Sequence, residues 1–284
     1  MIGRDASNFA EILKAVKEST DDWTPNPEGA EEIWFRGLGC GSHSLLPGLY
    51  REANRVFDYD EEDLLERFRV AAFPHVLAGL SEWDWYFLAQ HHGIQTRLLD
   101  WTGGLVNAVY FALSGLVDIK DRRAYDQARA NNPGGAPDVL IDGPAVFLLD
   151  AGSLNKHFGG LSDDYVYRIG GEYTDRYLPG AIKLQSSENA DPVAILPPKS
   201  NARVVAQVGH FTLHGHGTMP LEVVTEQSNG SVKLARIRID RARVFDIWRE
   251  LEVIGVSQAT VYPGLDSIAA VTRWQCQRPV QQRN

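Results

Sequence analysis

A chain of 284 residues with 44% hydrophobic residues can bury a substantial core, in one large domain or two small ones, which excludes an intrinsically disordered protein. The formal net charge of −9 disfavours a surface that binds nucleic acid by bulk electrostatics, because phosphate neutralisation requires clustered Lys and Arg. Cys40 and Cys276 do not suggest a disulfide framework, and no segment approaches the roughly 18 apolar residues of a membrane span. Since the first residues also lack an apolar signal segment, we expect a cytoplasmic protein without a membrane partner.

The first part of the chain shows helix and strand patterns in turn. Asp5, Ser7 and Asn8 can cap a helix whose apolar residues fall on one face. The next strand has apolar residues that do not strictly alternate, which predicts burial on both of its faces. In chain order we predict a helix to about residue 19, a strand over 31–38, helices over 61–77 and 81–91, an extended segment over 96–101, and a central helix from 103 to about 116.

The second part of the chain mixes strands and helices without regular alternation. Residues 118–143 are polar and rich in Gly, Ala, Asn and Pro, which predicts a surface insertion. We predict strands over 145–149, 193–196, 203–213 and 232–239, and helices over 241–254 and 265–272. The fold class is therefore α+β, with a mixed or antiparallel central sheet and flanking helices. The predicted organisation is an N-terminal helix and linker over 1–30, one domain over 31–273, and a polar tail over 274–284.

A permanent cation lies in the apolar strand over residues 31–38. Arg36 follows Trp34 and Phe35 and precedes Gly37, and leaving a buried guanidinium unpaired would be costly. One interpretation is an anion clamp, because the planar guanidinium can bind a carboxylate or phosphate of a ligand bidentately. The other interpretation is an internal ion pair, for example with Asp100.

The segment over residues 90–102 is the most polar junction between predicted elements. Junctions of this kind often carry binding and catalytic residues. Alternation along an extended chain places Thr96 and Asp100 on one face, where both can reach one ligand. Arg97 then points to the opposite face and needs a partner elsewhere.

Several histidines invite comparison with metal sites. His91 and His92 are adjacent, so a helix cannot direct both at one metal ion, and a hydrogen-bonded imidazole or a proton-transfer role are the alternatives. His210, His214 and His216 share strand parity and could form a three-histidine face. The glycines beside them favour an exposed hairpin tip instead.

A primary amide stands in the mostly apolar strand predicted over 203–213. Gln207 needs hydrogen-bond partners there. Gly209, two residues later, has no side chain and would let a ligand or another backbone approach closely.

Three blocks of the sequence together resemble the FRG-domain family over about residues 31–273. The first is the Phe-Arg-Gly triplet at 35–37, with the aromatic Trp34 before it. The most specific block is Gln-His-His-Gly-Ile-Gln-Thr-Arg-Leu-Leu-Asp-Trp-Thr at 90–102. The remaining matches are Leu46, Pro47, Arg51, Ala108, Phe111, Ala112, Gln207, Gly209, Phe211, Glu250, Leu251, Gly255, Val256, Tyr262, Pro263, Leu265 and Asp266.

The order of these elements looks like the ADP-ribosyltransferase fold. That resemblance implies an Arg on a first strand, a Thr before a helix, and a third polar residue on a later strand, here Arg36, Thr96 or Thr102, and Gln207. Many transferases of this fold carry a Glu at the third position, so Asp100 is the candidate for the carboxylate. His92 would accept a proton from the attacking nucleophile.

The resemblance implies NAD as a cosubstrate. Its diphosphate or ribose would lie on Arg36, and its nicotinamide would stack on Trp101 or Tyr110. The predicted catalytic residues are Arg36, His92, Thr96, Asp100 and Gln207. The predicted NAD-binding residues are Arg36, Gly37, Gln90, His91, Thr96, Arg97, Trp101, Thr102 and Tyr110.

The function implied by the resemblance is an NAD-dependent ADP-ribosyltransferase-like enzyme of a bacterial toxin or anti-phage defence system. Its acceptor, protein or nucleic acid, stays open, as does the oligomeric state. One alternative is a non-catalytic module that senses a nucleotide or a phage component and signals to a partner. Another is a metal-dependent hydrolase or nuclease that uses His91, His92 and Asp100.

Overall fold

The computed structural model describes residues 2–23, 33–51, 60–76, 79–117, 143–159, 165–184, 187–198 and 206–276. Its strands are β1 (Ile2–Ala6), β2 (Ile33–Leu38), β3 (Leu98–Thr102), β4 (Ala145–Asp150), β5 (Tyr167–Arg168), β6 (Val193–Leu196), β7 (Gly209–Leu213) and β8 (Leu234–Ile239). They form one sheet in the order β1-β8-β4-β2-β3-β7-β6-β5. The outer pairs β1/β8 and β5/β6 are parallel, whereas the inner pairs are antiparallel.

Helices flank this sheet, which confirms the predicted α+β class with a mixed sheet. Among the described residues they are α1 (Phe9–Thr20), α2 (Glu61–Ala72), α3 (Glu82–His91), α4 (Leu105–Ser114), α5 (Ala151–Phe158), α6 (Glu172–Asp175), α7 (Pro179–Ile182), α8 (Leu221–Gln227), α9 (Val244–Val253), α10 (Gln258–Val261) and α11 (Leu265–Cys276). In these ranges no helix is both long and apolar enough to span a bilayer.

Strand β2 is buried on both faces, as its sequence predicts. The Trp34 side chain belongs to a core cluster with Trp101 and Phe147, whereas Phe35 belongs to a cluster with Val109 on α4. A central strand has core on both sides when helices or loops cover both faces of the sheet. Arg36, which follows Phe35 in this strand, therefore lies in the interior of the molecule.

Helix α4 packs directly against β2 at Gly37. A Cβ atom at this position would lie 1.8 Å from the carbonyl oxygen of Ala108 and 2.6 Å from the backbone nitrogen of Ala112. Only glycine fits such a contact, and the small alanines on α4 complete it. This packing fixes the start of α4 beside the end of β3.

The structure differs from the sequence prediction around Gln207, which was expected to lie in a strand. Strand β7 begins at Gly209, and Gln207 and Val208 lie in a turn before it, while residues 199–205 are outside the described ranges. Val208 has φ of 46°, a left-handed backbone conformation that a β-branched side chain rarely adopts. The prediction of one strand over 203–213 is therefore wrong at residues 206–208.

The residues after β7 do not form an exposed hairpin tip, which corrects the prediction for His214 and His216. His214 is buried, and the backbone nitrogen of His216 donates to the carbonyl of Asn189 at 3.1 Å. Gly215 allows this packing because a Cβ atom there would lie 2.1 Å from the Asn189 oxygen. The predicted insertion over 118–143 lies outside the described residues except for its last residue.

Strand β1 has no counterpart among the predicted elements. It pairs in parallel with β8, and Asp5, expected as a helix cap, lies in this strand and pairs with Arg238 at 2.6 Å. Asn8 alone caps α1, accepting from the backbone nitrogen of Glu11. Sequence patterns also missed the short strand β5 and the helices α5, α6, α7, α8 and α10.

Candidate functional site

A cleft of about 650 Å³ opens over the middle of the sheet. Its floor is formed by the neighbouring strands β2, β3 and β7, with Arg36, Asp100 and Gly209 among the lining residues. Helix α3 forms one wall, and Phe111 and Tyr262 lie on the lining from other elements. Residues from distant parts of the chain thus meet in one cavity, which is of ordinary size for a small-molecule site.

The wall formed by α3 follows from helical periodicity. Asp84, Phe87, Leu88 and His91 are spaced by three or four residues, so one face of the helix lines the cleft. The helix begins at a capping box in which Ser81 Oγ accepts from the Asp84 backbone nitrogen at 3.1 Å, and the Asp84 carboxylate accepts from the Ser81 nitrogen at 2.9 Å. This cap holds a carboxylate at the end of the aromatic wall.

Arg36 lies at the floor of the cleft and is incompletely paired. One Nη1 hydrogen bond goes to the backbone oxygen of Asp100, whose carboxylate is 3.9 Å away. The buried Nε atom has no hydrogen-bond partner. Burial lowers the pKa of Arg36 to about 10, with Asp100 opposing the shift and Arg51 adding to it. The cation therefore has its predicted partner in Asp100 and still has a donor without an acceptor.

Thr96 reaches the cleft only through Gln90. The Thr96 hydroxyl is buried and donates to Gln90 Oε1 at 2.6 Å. Gln90 Nε2 then donates to both carboxylate oxygens of Asp100, at 3.3 and 3.2 Å. Thr96 and Asp100 are thus linked through Gln90, but only Gln90 and Asp100 line the cleft.

Arg97 points away from the cleft into a closed network. Its Nε donates to Glu61 at 2.6 Å, Nη1 donates to the carbonyl of His214 at 2.9 Å, and Nη2 donates to the carbonyl of Tyr177. Tyr86 completes the network by donating to Glu61. Because Arg97 is 1% exposed, the structure does not bring it to the predicted NAD site.

The two adjacent histidines, His91 and His92, lie differently relative to the cleft. His91 lines the cleft, whereas His92 is exposed, lies outside the lining and has its ring 6.1 Å from the Phe68 ring. Among the described residues, no group of three or more His, Cys, Asp or Glu side chains is arranged to hold a metal ion. The imidazole in the cleft is therefore that of His91.

The aromatic residues of the cleft are mostly different from the two predicted. Trp101 lines the cleft, but it is only 3% exposed, and Tyr110 is packed in the core with its ring 5.2 Å from that of Trp248. The next residue, Phe111, lines the cleft with its ring 6.0 Å from the Tyr262 ring. The orientation of α4 about its axis places Phe111, and not its neighbour Tyr110, in the lining of the cleft.

Gln207 lines the cleft on a turn that Thr102 holds in place. The Thr102 hydroxyl donates to the backbone oxygen of Gln207, and the Gly103 nitrogen donates to that of Val208 at 2.9 Å. The Gln207 side-chain amide donates to the carbonyl of Val261 at 3.1 Å. Thr102, also a lining residue, thus uses its hydroxyl within the protein, and it fixes the turn that presents Gln207.

Sequence reasoning missed four residues that shape the cleft. Phe87 and Phe211 have ring centroids 5.1 Å apart, and Asp84 and Tyr262 lie at other positions of the lining. The spacing of Asp84, Phe87 and His91 on one helical face was a visible pattern that could have indicated Asp84 and Phe87. Tyr262 belongs to a segment that carries the family resemblance, but no local pattern indicates that tertiary packing brings it to the cleft.

Comparison with known families agrees with the resemblance found in the sequence. Residues 31–120 match the FRG domain. This span contains Arg36 and the whole 90–102 segment, while Gln207 and Tyr262 lie beyond it. No curated protein and no solved structure matches the chain.

Proposed function

We propose that this chain, which carries an FRG domain over residues 31–120, is an NAD-dependent ADP-ribosyltransferase-like enzyme acting in the cytoplasm. The observation that carries the proposal is the convergence of Arg36, Asp100 and Gln207 in one aromatic cleft. Under this proposal the protein belongs to a bacterial toxin or anti-phage defence system, and its acceptor is a protein or a nucleic acid.

The composition of the cleft suits a dinucleotide with charges of both signs. NAD has an anionic diphosphate, which the guanidinium of Arg36 at the cleft floor can attract. It also has flat rings, for which Phe87, Phe111 and Tyr262 are accessible partners in the lining. The volume of about 650 Å³ lies within the roughly 300–1,000 Å³ range of small-molecule sites.

The polar residues of the cleft can support transfer of the ADP-ribosyl group. In this reaction the bond between ribose and nicotinamide breaks, nicotinamide leaves with the bonding electrons, and the acceptor forms a bond to the same ribose carbon and loses a proton. The Asp100 side chain, 59% exposed, can stabilise positive charge that develops on the ribose. His91 is placed to accept the proton, a role that the sequence analysis gave to His92.

One observation favours a second candidate function, a nucleotide-binding module without turnover. Under the proposed relationship Gln207 stands where many ADP-ribosyltransferases have Glu, and its amide donates to the Val261 carbonyl. An amide can orient a hydroxyl but cannot stabilise positive charge as a carboxylate does. In this second case ligand binding in the cleft would signal to a partner.

Release of nicotinamide tests the proposal. The purified protein is incubated with NAD and with protein or nucleic acid extracts, and nicotinamide is quantified by chromatography. We expect release that Arg36→Gln or Asp100→Asn abolishes and that Arg69→Gln leaves unchanged, because Arg69 pairs with Glu82 outside the cleft.

Calorimetry with NAD separates the two candidates. Binding without release of nicotinamide would favour the binding module. Absence of both binding and release would contradict NAD as the ligand.

A further inference from the structure

The charges in the cleft are unusual for a site that would bind only an anion. Among the described residues of its lining, Arg36 is the one permanent cation, while Asp84 and Asp100 are carboxylates. The Asp100 carboxylate is 3.9 Å from Arg36 Nη1, and its side chain is 59% exposed. The Asp84 carboxylate contributes a negative charge to the wall formed by α3, and Ser81 is its hydrogen-bond donor.

The aromatic side chains form two groups in the same cleft. Phe87 and Phe211 pack with centroids 5.1 Å apart, and Phe111 and Tyr262 pack with centroids 6.0 Å apart. Aromatic faces carry negative electrostatic potential and attract cations, most strongly where water is excluded. Aromatic faces and carboxylates therefore favour the same kind of ligand.

We propose that the cleft selects a ligand with a positively charged aromatic ring, of the pyridinium class, over the same ring without charge. The ring lies among Phe87, Phe111 and Tyr262, with Asp84 and Asp100 compensating its charge. A neutral ring of equal size gains the apolar contacts but not the electrostatic attraction. The ring-binding part of the cleft is thus a charge filter, distinct from the donor at Arg36.

This inference rests on the proposed nucleotide function of the cleft and narrows it. Oxidised NAD has a pyridinium ring, whereas its reduced form has a neutral dihydropyridine ring of nearly the same shape. The charge filter therefore predicts that the protein distinguishes the two redox forms at the binding step, before any chemistry.

Two small probes isolate the charge of the ring from the rest of the nucleotide. The 1-methylnicotinamide cation and neutral nicotinamide are titrated into the full-length protein, and amide chemical shifts are followed by NMR. We expect the cation to bind roughly tenfold more tightly. Equal affinities, or no binding of the cation at millimolar concentration, would overturn the inference.

Variants assign the preference to the carboxylates and rings. Asp84→Asn should reduce the ratio of affinities severalfold, whereas Glu82→Gln should preserve it, because Glu82 lies on the same helix but pairs with Arg69 outside the cleft. Phe87→Leu should weaken binding of the cation more than that of nicotinamide. An unchanged ratio in folded Asp84→Asn and Phe87→Leu proteins, checked by their melting temperatures, would contradict the assignment.

The outcome is independent of the test for turnover. If the cation is preferred but NAD is not cleaved, the charge filter holds and the transferase proposal fails. If NAD is cleaved but the two probes bind equally, the transferase proposal holds and the charge filter fails.

Discussion

Arg36 in β2 and Arg97, directly before β3, have opposite surroundings. The Arg97 side chain is 2% exposed and meets the Glu61 carboxylate at 2.6 Å, with two carbonyl groups accepting from its other nitrogens. The Arg36 side chain is 14% exposed, its carboxylate partner Asp100 is 3.9 Å away, and its Nε has no partner. The interior satisfies one guanidinium completely and leaves the other incomplete at the floor of a cleft.

The difference supports the proposal that Arg97 is a structural cation and Arg36 a ligand-binding one. Buried polar groups in proteins are almost always hydrogen-bonded, so a buried donor without an acceptor at a cavity needs a reason. Arg97 joins α2, α3 and the residues before β3 into one unit. Arg36 is not part of that unit, and it lines the cleft. Both arginines lie in sequence blocks of the FRG resemblance, and only their surroundings distinguish their roles.

Removing Arg97 should produce the largest effect on stability. In Arg97→Met the Glu61 carboxylate stays buried without its cation, and we expect a loss of about 3–5 kcal/mol in the free energy of unfolding. Urea denaturation measures the change. The control is Arg67→Met, since Arg67 is exposed and pairs with Asp63 on the surface of α2. A loss below about 1 kcal/mol for Arg97→Met would contradict the structural role.

The pH dependence of the free energy of unfolding should contain a contribution from His214, whose pKa is affected by the charges of both arginines. Burial, and then the charges of Arg97 and Arg36, lower the pKa of His214 from 6.5 to about 3. The unfolded chain therefore binds this proton at a higher pH than the folded protein, and the free energy of unfolding falls as the pH drops below 6.5. Between pH 7.5 and 5 the contribution is about 2 kcal/mol.

Urea denaturation at a series of pH values in the native protein and in His214→Gln measures this contribution. The variant should lose about 2 kcal/mol less stability over the same interval. Equal pH dependence in the two proteins would show that folding does not lower the pKa of His214.

The bond between Thr96 and Gln90 should have a smaller effect. Thr96→Val removes the hydroxyl that orients the Gln90 amide, at a cost of about 1 kcal/mol, whereas Thr96→Ser keeps it. A double-mutant cycle with Gln90→Ala should give a coupling of roughly 0.5–1.5 kcal/mol. Strict additivity of the two substitutions would disprove the link.

Local patterns predicted the parts of the fold that depend on a single segment. The continuous apolar run of β2 correctly indicated burial on both faces, and alternation after residue 95 placed Thr96 with Asp100 and sent Arg97 elsewhere. Strand β1 was not recognised, because its sequence Ile-Gly-Arg-Asp-Ala has no hydrophobic alternation and pairing with β8 alone makes it a strand. Edge strands often depend on their neighbour in this way.

The sequence indicated polar residues of the cleft floor and, in Gln90 and His91, part of the wall formed by α3, but not most of the aromatic residues of the walls. Arg36, Asp100 and Gln207 follow from polar groups in apolar segments. The choice of Phe111 over Tyr110 depends on how α4 is rotated against Gly37, and the position of Tyr262 depends on packing between distant segments. Such tertiary contacts override what a local pattern can show.

Thermal unfolding of Arg36→Gln with and without NAD tests the central claim most directly. Because the partner carboxylate of Arg36 is 59% exposed and its Nε has no acceptor, we expect the melting temperature of the free variant to stay within a few degrees of the native protein. Millimolar NAD should raise the melting temperature of the native protein and leave that of the variant unchanged. If the variant instead unfolds as readily as Arg97→Met, or still responds to NAD, Arg36 is not the ligand-binding cation of this cleft.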